Sequence, residues 1–233
     1  MIKIETNHPN AQGPDFDFPS QGASQNNHSN SVYLSELERV TNKSDFSYLD
    51  LGCAGGQSVV DVFLKGNISC GIEGSDLDKM ISTSKSRSKP EPRFIGDTSE
   101  VVGDVHDNWL NYKDKCLFKA DITKPFRLLN DNNEVQKFDV ITAWDVLEHP
   151  KPFDIPQVIE NIKLHLEDDG IFICLINTVP GTHHQCIKPE KWWLDIFEQN
   201  GFKSVGFDLN ASPRHTYNPI DTNDYGFFFK KIK

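Results

Sequence analysis

The sequence predicts a doubly wound α/β fold, and three features carry that prediction. Strand-like apolar segments alternate with helix-like ones five times along the chain. The first strong strand runs into a glycine-rich turn, Gly52-Cys53-Ala54-Gly55-Gly56. The chain then finishes on two strand-like segments with no helix between them, which implies an antiparallel pair at one edge of an otherwise parallel sheet.

The elements follow in order. Residues 1–30 form a polar arm: sixteen of them are Asn, Gln, Ser, Pro or Gly, too polar to order on their own, although Phe16 and Phe18 offer two anchors. Residues 31–233 read as one domain, a fair length for a single core. "SVYLSELERVTNK" places Leu34, Leu37 and Val40 at helical spacing. "FSYLDL" is a buried strand, and "QSVVDVFLKG" a helix closed by Gly66. "ISCGIE" is the second strand, and "DLDKMISTSKSRSK" has the character of a helix. A long insertion, about 86–115, separates it from the third strand, "CLFKAD"; it reads as a lid or a packed helix. "FDVITAW" is the fourth strand and "PQVIENIKLHLEDDG" an amphipathic helix. "GIFICLIN" is apolar on both faces, as a central parallel strand must be. "PEKWWLDIFEQNG" is a helix with Pro189 near its start and Gly201 past its end, and "FKSVGFDL" and "YGFFFKKI" make the closing pair. The β-α-β crossovers should be right-handed.

Composition excludes several classes. The formal net charge of −10 argues against a strong grip on nucleic acid or on an anionic membrane, which needs clustered Lys and Arg. No apolar run reaches the length of a membrane span, and "MIKIETNHPN" lacks the apolar core of a secretory signal. Five widely spaced cysteines without a CxxC pattern point to reduced residues of a cytoplasmic protein rather than to a disulfide framework.

In an open α/β sheet, ligands sit outside the carboxyl ends of the strands. Four successive strands carry an acid there: Asp50, Glu73, Asp121 and Asp145. Glu73 lies 21 residues beyond Gly52, the spacing at which a carboxylate accepts both hydrogens of a ribose diol. The turn is not the G-x-G-x-x-G of a dinucleotide site, and Asp50 just before it would repel a pyrophosphate. A nucleoside joined to a cationic amino acid suits these residues, and S-adenosylmethionine is such a ligand.

"LDLGCAGG", "GIEGSD", "KADITKPF", "FDVITAWDVLEHP" and "LHLEDDGIFICLIN", in that order, resemble the motif series of class I S-adenosylmethionine-dependent methyltransferases, over residues from about 46 to 232. The resemblance implies a Rossmann-like, seven-stranded, mostly parallel sheet of order 3-2-1-4-5-7-6 with an antiparallel final strand and helices on both faces. By the same resemblance, Asp50, Gly52, Cys53, Ala54, Gly55 and Gly56 would hold the methionine part, and Glu73 the ribose. Ser75 and Asp76 would adjoin the adenine pocket, Asp121 and Ile122 would meet the adenine, and Trp144 and Asp145 would lie near the sulfonium. Ala54 departs from the commoner glycine.

For chemistry the candidates are Glu148 and His149, just beyond the fourth strand, and His184 in the loop after the fifth. An imidazole's ordinary, unperturbed pKa suits a general base, which makes His149 the candidate. His183 and His184 adjoin each other, poor geometry for joint ligation, and show no carboxylate at metal spacing, so no metal is expected. Trp109, Tyr112 and one of Trp192 and Trp193 are candidate walls for an acceptor. The function these readings imply is methyl transfer to a small-molecule acceptor, with oligomeric state open. Aminopropyl transfer, a non-catalytic nucleoside-binding protein and a nicotinamide oxidoreductase are the alternatives; the last is disfavoured by Asp50 and by the turn.

Overall fold

The structure is a computed structural model and describes residues 1–12, 29–77, 105–181, 183–213 and 224–232. Fourteen elements follow one another within them. They are β1 (Lys3–Glu5), α1 (Ser31–Thr41), β2 (Tyr48–Leu51), α2 (Gln57–Leu64), β3 (Ser69–Glu73), α3 (Val105–Tyr112), β4 (Leu117–Lys119), β5 (Arg127–Leu129), β6 (Phe138–Trp144), α4 (Ile155–His165), β7 (Leu166–Asn177), α5 (Glu190–Gln199), β8 (Phe202–Ser204) and β9 (Asp224–Lys231).

Seven strands form one sheet in the order β4-β3-β2-β6-β7-β9-β8. Pairing is parallel from β4 through β7, while β9 runs antiparallel to both β7 and β8. This is the order and polarity expected from the sequence. A mostly parallel sheet must be covered on both faces, and two apolar layers do so. Leu49, Leu51, Ile72, Ile141 and Phe172 pack with α4 and α5 through Val158, Ile162, Trp193 and Phe197. Tyr48, Val140, Ile171 and Ile173 pack on the other face with Tyr33, Leu37, Val59, Val62 and Trp109 from α1, α2 and α3. Successive residues of β2 and β6 thus point to opposite layers, as the two-residue period of a strand requires.

Several boundaries differ from the sequence reading. Helix α4 stops at His165 rather than near Gly170, because Leu166 already pairs with Phe138 on β6; the register then shifts before Val140 meets Ile171. Strand β8 is three residues long, although Val205 N and Gly206 O continue the bonding to Phe228. Trp193 is fully buried and Trp192 packs partly buried on the same layer. The start of the arm is extended and fastened: β1 pairs antiparallel with β5, Asp121 N donates to His8 O at 2.8 Å, and Ala11 N donates to Gly74 O at 2.9 Å. Phe16, Phe18, most of the expected helix after Ser75 and most of the insertion lie outside the described residues.

His165 joins α4 to β5. Its Nε2 accepts from Leu128 N at 3.0 Å, and Nδ1 faces Asn161 O at 2.8 Å, so the ring is neutral with the proton on Nδ1. Burial pushes its pKa down from 6.5 to about 4, and the nearby Arg127 charge adds to that. The unfolded chain therefore binds this proton first as pH falls. The contribution is complete above about pH 6.5 and is lost progressively down to about pH 4, by about 3 kcal/mol at most. Urea denaturation across that range should show a steeper loss for the wild type than for His165→Gln; equal slopes would refute the assignment.

Candidate active site

The glycine turn joins β2 to α2 at the carboxyl edge of the sheet. Gly52 N and Cys53 N both donate to Ile72 O, at 2.8 and 3.1 Å, which ties the turn to the end of β3. Gly52 has φ +72°, and a Cβ there would collide with a Val146 methyl. Gly56, φ +73°, caps α2, and its Cβ would come within 2.5 Å of Leu117 Cδ2. Both positions are bare because the backbone is left-handed and the protein itself fills the space. Ala54 also adopts a left-handed φ, +49°, at a place where glycine would be unstrained. Helix α3 braces the turn from behind: Trp109 Nε1 donates to Ala54 O at 3.0 Å and Asn108 Nδ2 to Gly55 O at 3.1 Å. Trp109 is thus core, and Tyr112 meets Phe63 edge-on; neither lines the cavity.

A cavity of about 660 Å³ opens in front of this turn. Asp50, Gly52, Cys53 and Ala54 line it from β2 and the turn, Glu73 and Ser75 from the end of β3. Asp121 and Ile122 enter after β4, and Trp144 and Asp145 at the end of β6. Gly55 and Gly56 are buried and shape the turn without lining the cavity, and Asp76 is turned to Lys119, 3.1 Å away. All four strand-end acids therefore share one wall.

Each acid is held. Glu73 is 6% exposed; its Oε2 accepts from Ala54 N at 2.9 Å and its Oε1 from Ser75 N at 2.8 Å. Asp121 accepts from Thr123 N and Oγ1 on the same oxygen, Oδ1, at 2.9 and 2.6 Å. Asp145 stands at φ +52°, a left-handed residue at the lip of β6. Asp50 accepts from Thr142 Oγ1 at 2.7 Å, directly across the β2–β6 pairing. Behind Thr142 a buried hydroxyl chain continues: Tyr48 Oη at 3.0 Å, Tyr33 Oη at 3.0 Å, and Trp144 Nε1 donating to Tyr33 Oη at 3.1 Å. One donor sense satisfies every member, from the indole to the carboxylate. Burial, and then the Asp50 charge, raise both tyrosine pKa values. Burial likewise pushes the Cys53 thiol up, so it is no nucleophile.

Of the catalytic candidates, His149 lines the cavity. Glu148 lies behind it, fully buried, and burial reinforced by Asp145 holds its carboxyl well above the usual range. His184 does not line the cavity, but its ring meets His149 edge-on at 5.0 Å, whereas its neighbour His183 does line it. Trp192 and Trp193 do not reach it.

Other lining residues were not anticipated. His8, Asn10, Ala11 and Gln12 cross the adenine side expected from Asp121, and Asn10 Oδ1 is buried without a partner among the described residues. Lys151 and Phe153 stand at the mouth, where the ammonium lies 5.6 Å from the ring centroid and Phe153 is 74% exposed. Tyr48 and Asp50 inside the buried strand "FSYLDL", and Thr142 inside another apolar strand, were the visible traces of the hydroxyl chain; nothing local marked Asn10.

A family profile described as "Methyltransferase domain" matches residues 25–185. No curated protein is similar enough in sequence to match. Among solved structures, an S-adenosylmethionine-dependent methyltransferase from Clostridium acetobutylicum ATCC 824 superposes with a TM-score of 0.54 at 14% identity, over 88% of this chain and 93% of that one. A TehB-like SAM-dependent methyltransferase from Corynebacterium glutamicum gives 0.53 at 14% identity, over 87% and 90%. The magnesium protoporphyrin IX methyltransferase of Synechocystis PCC 6803, with bound SAH, gives 0.51 at 14% identity, over 86% and 82%. Sheet order, turn and acid wall define a class I methyltransferase fold. The chain belongs to the methyltransferase-domain family.

Two substitutions in the turn have opposite expected signs. Gly52→Ala meets both the left-handed backbone and Val146, and should cost about 2–4 kcal/mol in denaturant titration. Ala54→Gly relieves a left-handed alanine and should gain about 0.5–1 kcal/mol.

Proposed function

We propose that this enzyme binds S-adenosylmethionine in the cavity and transfers its methyl group to a small-molecule acceptor by in-line displacement. The observation that carries the reading is the acid wall: Asp50, Glu73, Asp121 and Asp145 all border one cavity of about 660 Å³. Such a wall suits a ligand that brings hydrogen-bond donors and positive charge, and it repels a pyrophosphate. The cavity has the size typical of small-molecule sites.

Glu73 is the ribose partner. Its two backbone bonds use one lone pair on each oxygen and leave others for a diol. Asp50, fixed by the hydroxyl chain, faces the ammonium or sulfonium end. Asp121 Oδ2 and Asn10 Oδ1 are the acceptors for the adenine amino group, which gives the N-terminal segment a part in cofactor binding. Trp144 and Asp145 border the methyl, and the acceptor enters past His149, His183, Lys151 and Phe153.

The reaction moves one bond. An electron pair on the acceptor attacks the methyl carbon, and the carbon–sulfur pair stays on sulfur as a thioether. Alignment and proximity supply most of the rate. An acceptor that keeps its proton needs a base, and His149 is the cavity-lining imidazole beside the expected methyl. The five cysteines are free and buried, which agrees with a reducing, cytoplasmic setting; among the described residues no helix is long and apolar enough to cross a membrane.

Calorimetric titration with S-adenosylmethionine, S-adenosylhomocysteine and NADH in parallel tests the reading. The first two should bind and NADH should not; NADH binding alone would overturn it. Glu73→Gln keeps the shape but sets an amide N–H against a backbone donor and weakens the diol acceptor. Its affinity for S-adenosylmethionine should fall about tenfold or more, and unchanged affinity would remove Glu73 from the ribose role. Thr142→Val should weaken binding less, because it loosens Asp50 without touching the ligand.

A further inference from the structure

Beside the methyl end, two loops are zipped together. Gln185 N and Cys186 N donate to the Glu148 carbonyl at 2.8 and 2.9 Å, so the loop after β7 is held against the turn after β6. This pairing sets His184 beside His149 and Glu148, 35 and 36 residues earlier in the chain. The ligand atoms of the three side chains all lie within 4.8 Å of one another.

Two details separate this cluster from a chance meeting. Glu148 is fully buried, and neither carboxylate oxygen has a side-chain partner among the described residues; only the backbone amides of Glu148 itself and of Asn177 stand near them. An interior carboxylate left like that is costly unless a proton or a cation meets it. His184 is already oriented: its Nδ1 lies 2.7 Å from the Val179 carbonyl, which places the proton there and leaves the Nε2 lone pair for another partner. A backbone carbonyl on the far nitrogen is the arrangement that aims metal-binding imidazoles.

We propose that Glu148, His149 and His184 bind one divalent transition ion, of the zinc or iron kind. Two imidazole nitrogens and one carboxylate oxygen suit such borderline ions better than magnesium or calcium, which take oxygen shells. Bonds of about 2.1 Å put neighbouring ligand atoms on a tetrahedral ion roughly 3.4 Å apart, so the three side chains close by at most about 1.4 Å to reach it. Three protein ligands leave a coordination position open, and the site borders the cavity through His149.

The role of that position rests on the methyl-transfer reading above. An acceptor hydroxyl taking it would lose its proton to water, and the resulting oxygen pair would form the new bond to the methyl carbon as the sulfonium collapses to a thioether. His149 would then act as a ligand rather than as the base.

Chelator-treated protein titrated with Co²⁺ gives a test that does not need turnover, with Zn²⁺ competition as a second readout. The wild type should take up one Co²⁺ with visible d–d absorption that Zn²⁺ displaces. His184→Ala, at a half-buried loop side chain, and Glu148→Gln, of matching shape, should each weaken uptake at least tenfold while circular dichroism stays native. No uptake by the wild type, or uptake unchanged in both variants, would overturn the site. S-adenosylmethionine binding, measured by calorimetry on the same metal-free samples, keeps the two readings apart. Cofactor binding without cobalt uptake overturns only the ion; cobalt uptake without cofactor binding sustains the ion and overturns the acceptor role given to it.

Discussion

The geometry of the site hangs on the carboxylate of Glu73. It stands at the end of β3 and accepts from the backbone of Ala54, in the turn after β2, and of Ser75, in the turn after β3. Together with the Gly52 and Cys53 amides on Ile72 O, this side chain sets the separation of the two loops. A carboxylate can do this at low exposure because both donors are fixed amides, each bond charge-assisted, and spare lone pairs remain on both oxygens. The rest of the acid wall follows from topology. Parallel register brings Asp50 opposite Gly71 and Thr142, so the ends of β2, β3 and β6 come out at one edge, and an acid at each end becomes an acid on one wall.

Asp50 meets the opposite problem, a charge rooted in the interior of the sheet. Its stabilisation comes from a line of donors, Trp144, Tyr33, Tyr48 and Thr142, drawn from β6, α1 and β2. Each bond polarises the next toward the carboxylate, an effect that a low-dielectric interior strengthens. Helix α1 therefore does more than cover the sheet; through Tyr33 it steadies the acid that stands just before the glycine turn. The Asn30 side chain caps that helix by accepting from Val32 N and Tyr33 N, and its amide donates to Ser212 O, so the far loop is recruited to the same end.

What was legible in the sequence is what local periodicity writes. The alternation of strands and helices, the antiparallel finish, the glycine turn and the acids at strand ends are each set by residues a few positions apart, whereas the strand order came only with the resemblance to class I methyltransferases. What was not legible depends on contacts between distant segments. Two three-residue strands, β1 and β5, pair across more than 120 residues, and the composition of the arm gave no sign that its first residues cross the cavity. His183 and His184 read as a poor ligand pair because they adjoin in sequence; the backbone bonds from Gln185 and Cys186 to Glu148 carry one of them to His149. Trp109 read as a pocket wall because it is aromatic and near the site, yet its indole is spent on the carbonyl of Ala54. The end of α4 was misplaced because its amphipathic pattern runs on into residues that β6 claims through Leu166.

The cavity is also uneven in charge, and on the proposed reading this has a kinetic meaning. Carboxylates form the wall from β2 to β6, while His149, His183, Lys151 and Phe153, together with the paired Lys124 and Asp154, stand at the side where an acceptor would enter. A sulfonium between the two is drawn to the acids and presents its methyl toward the mouth. After transfer the sulfur is neutral, and the wall loses that part of its attraction for the nucleoside while the contacts to ribose and adenine persist. The acid wall therefore favours the charged donor over its own product. The discrimination comes from the charge that the reaction removes, with no group having to move to achieve it.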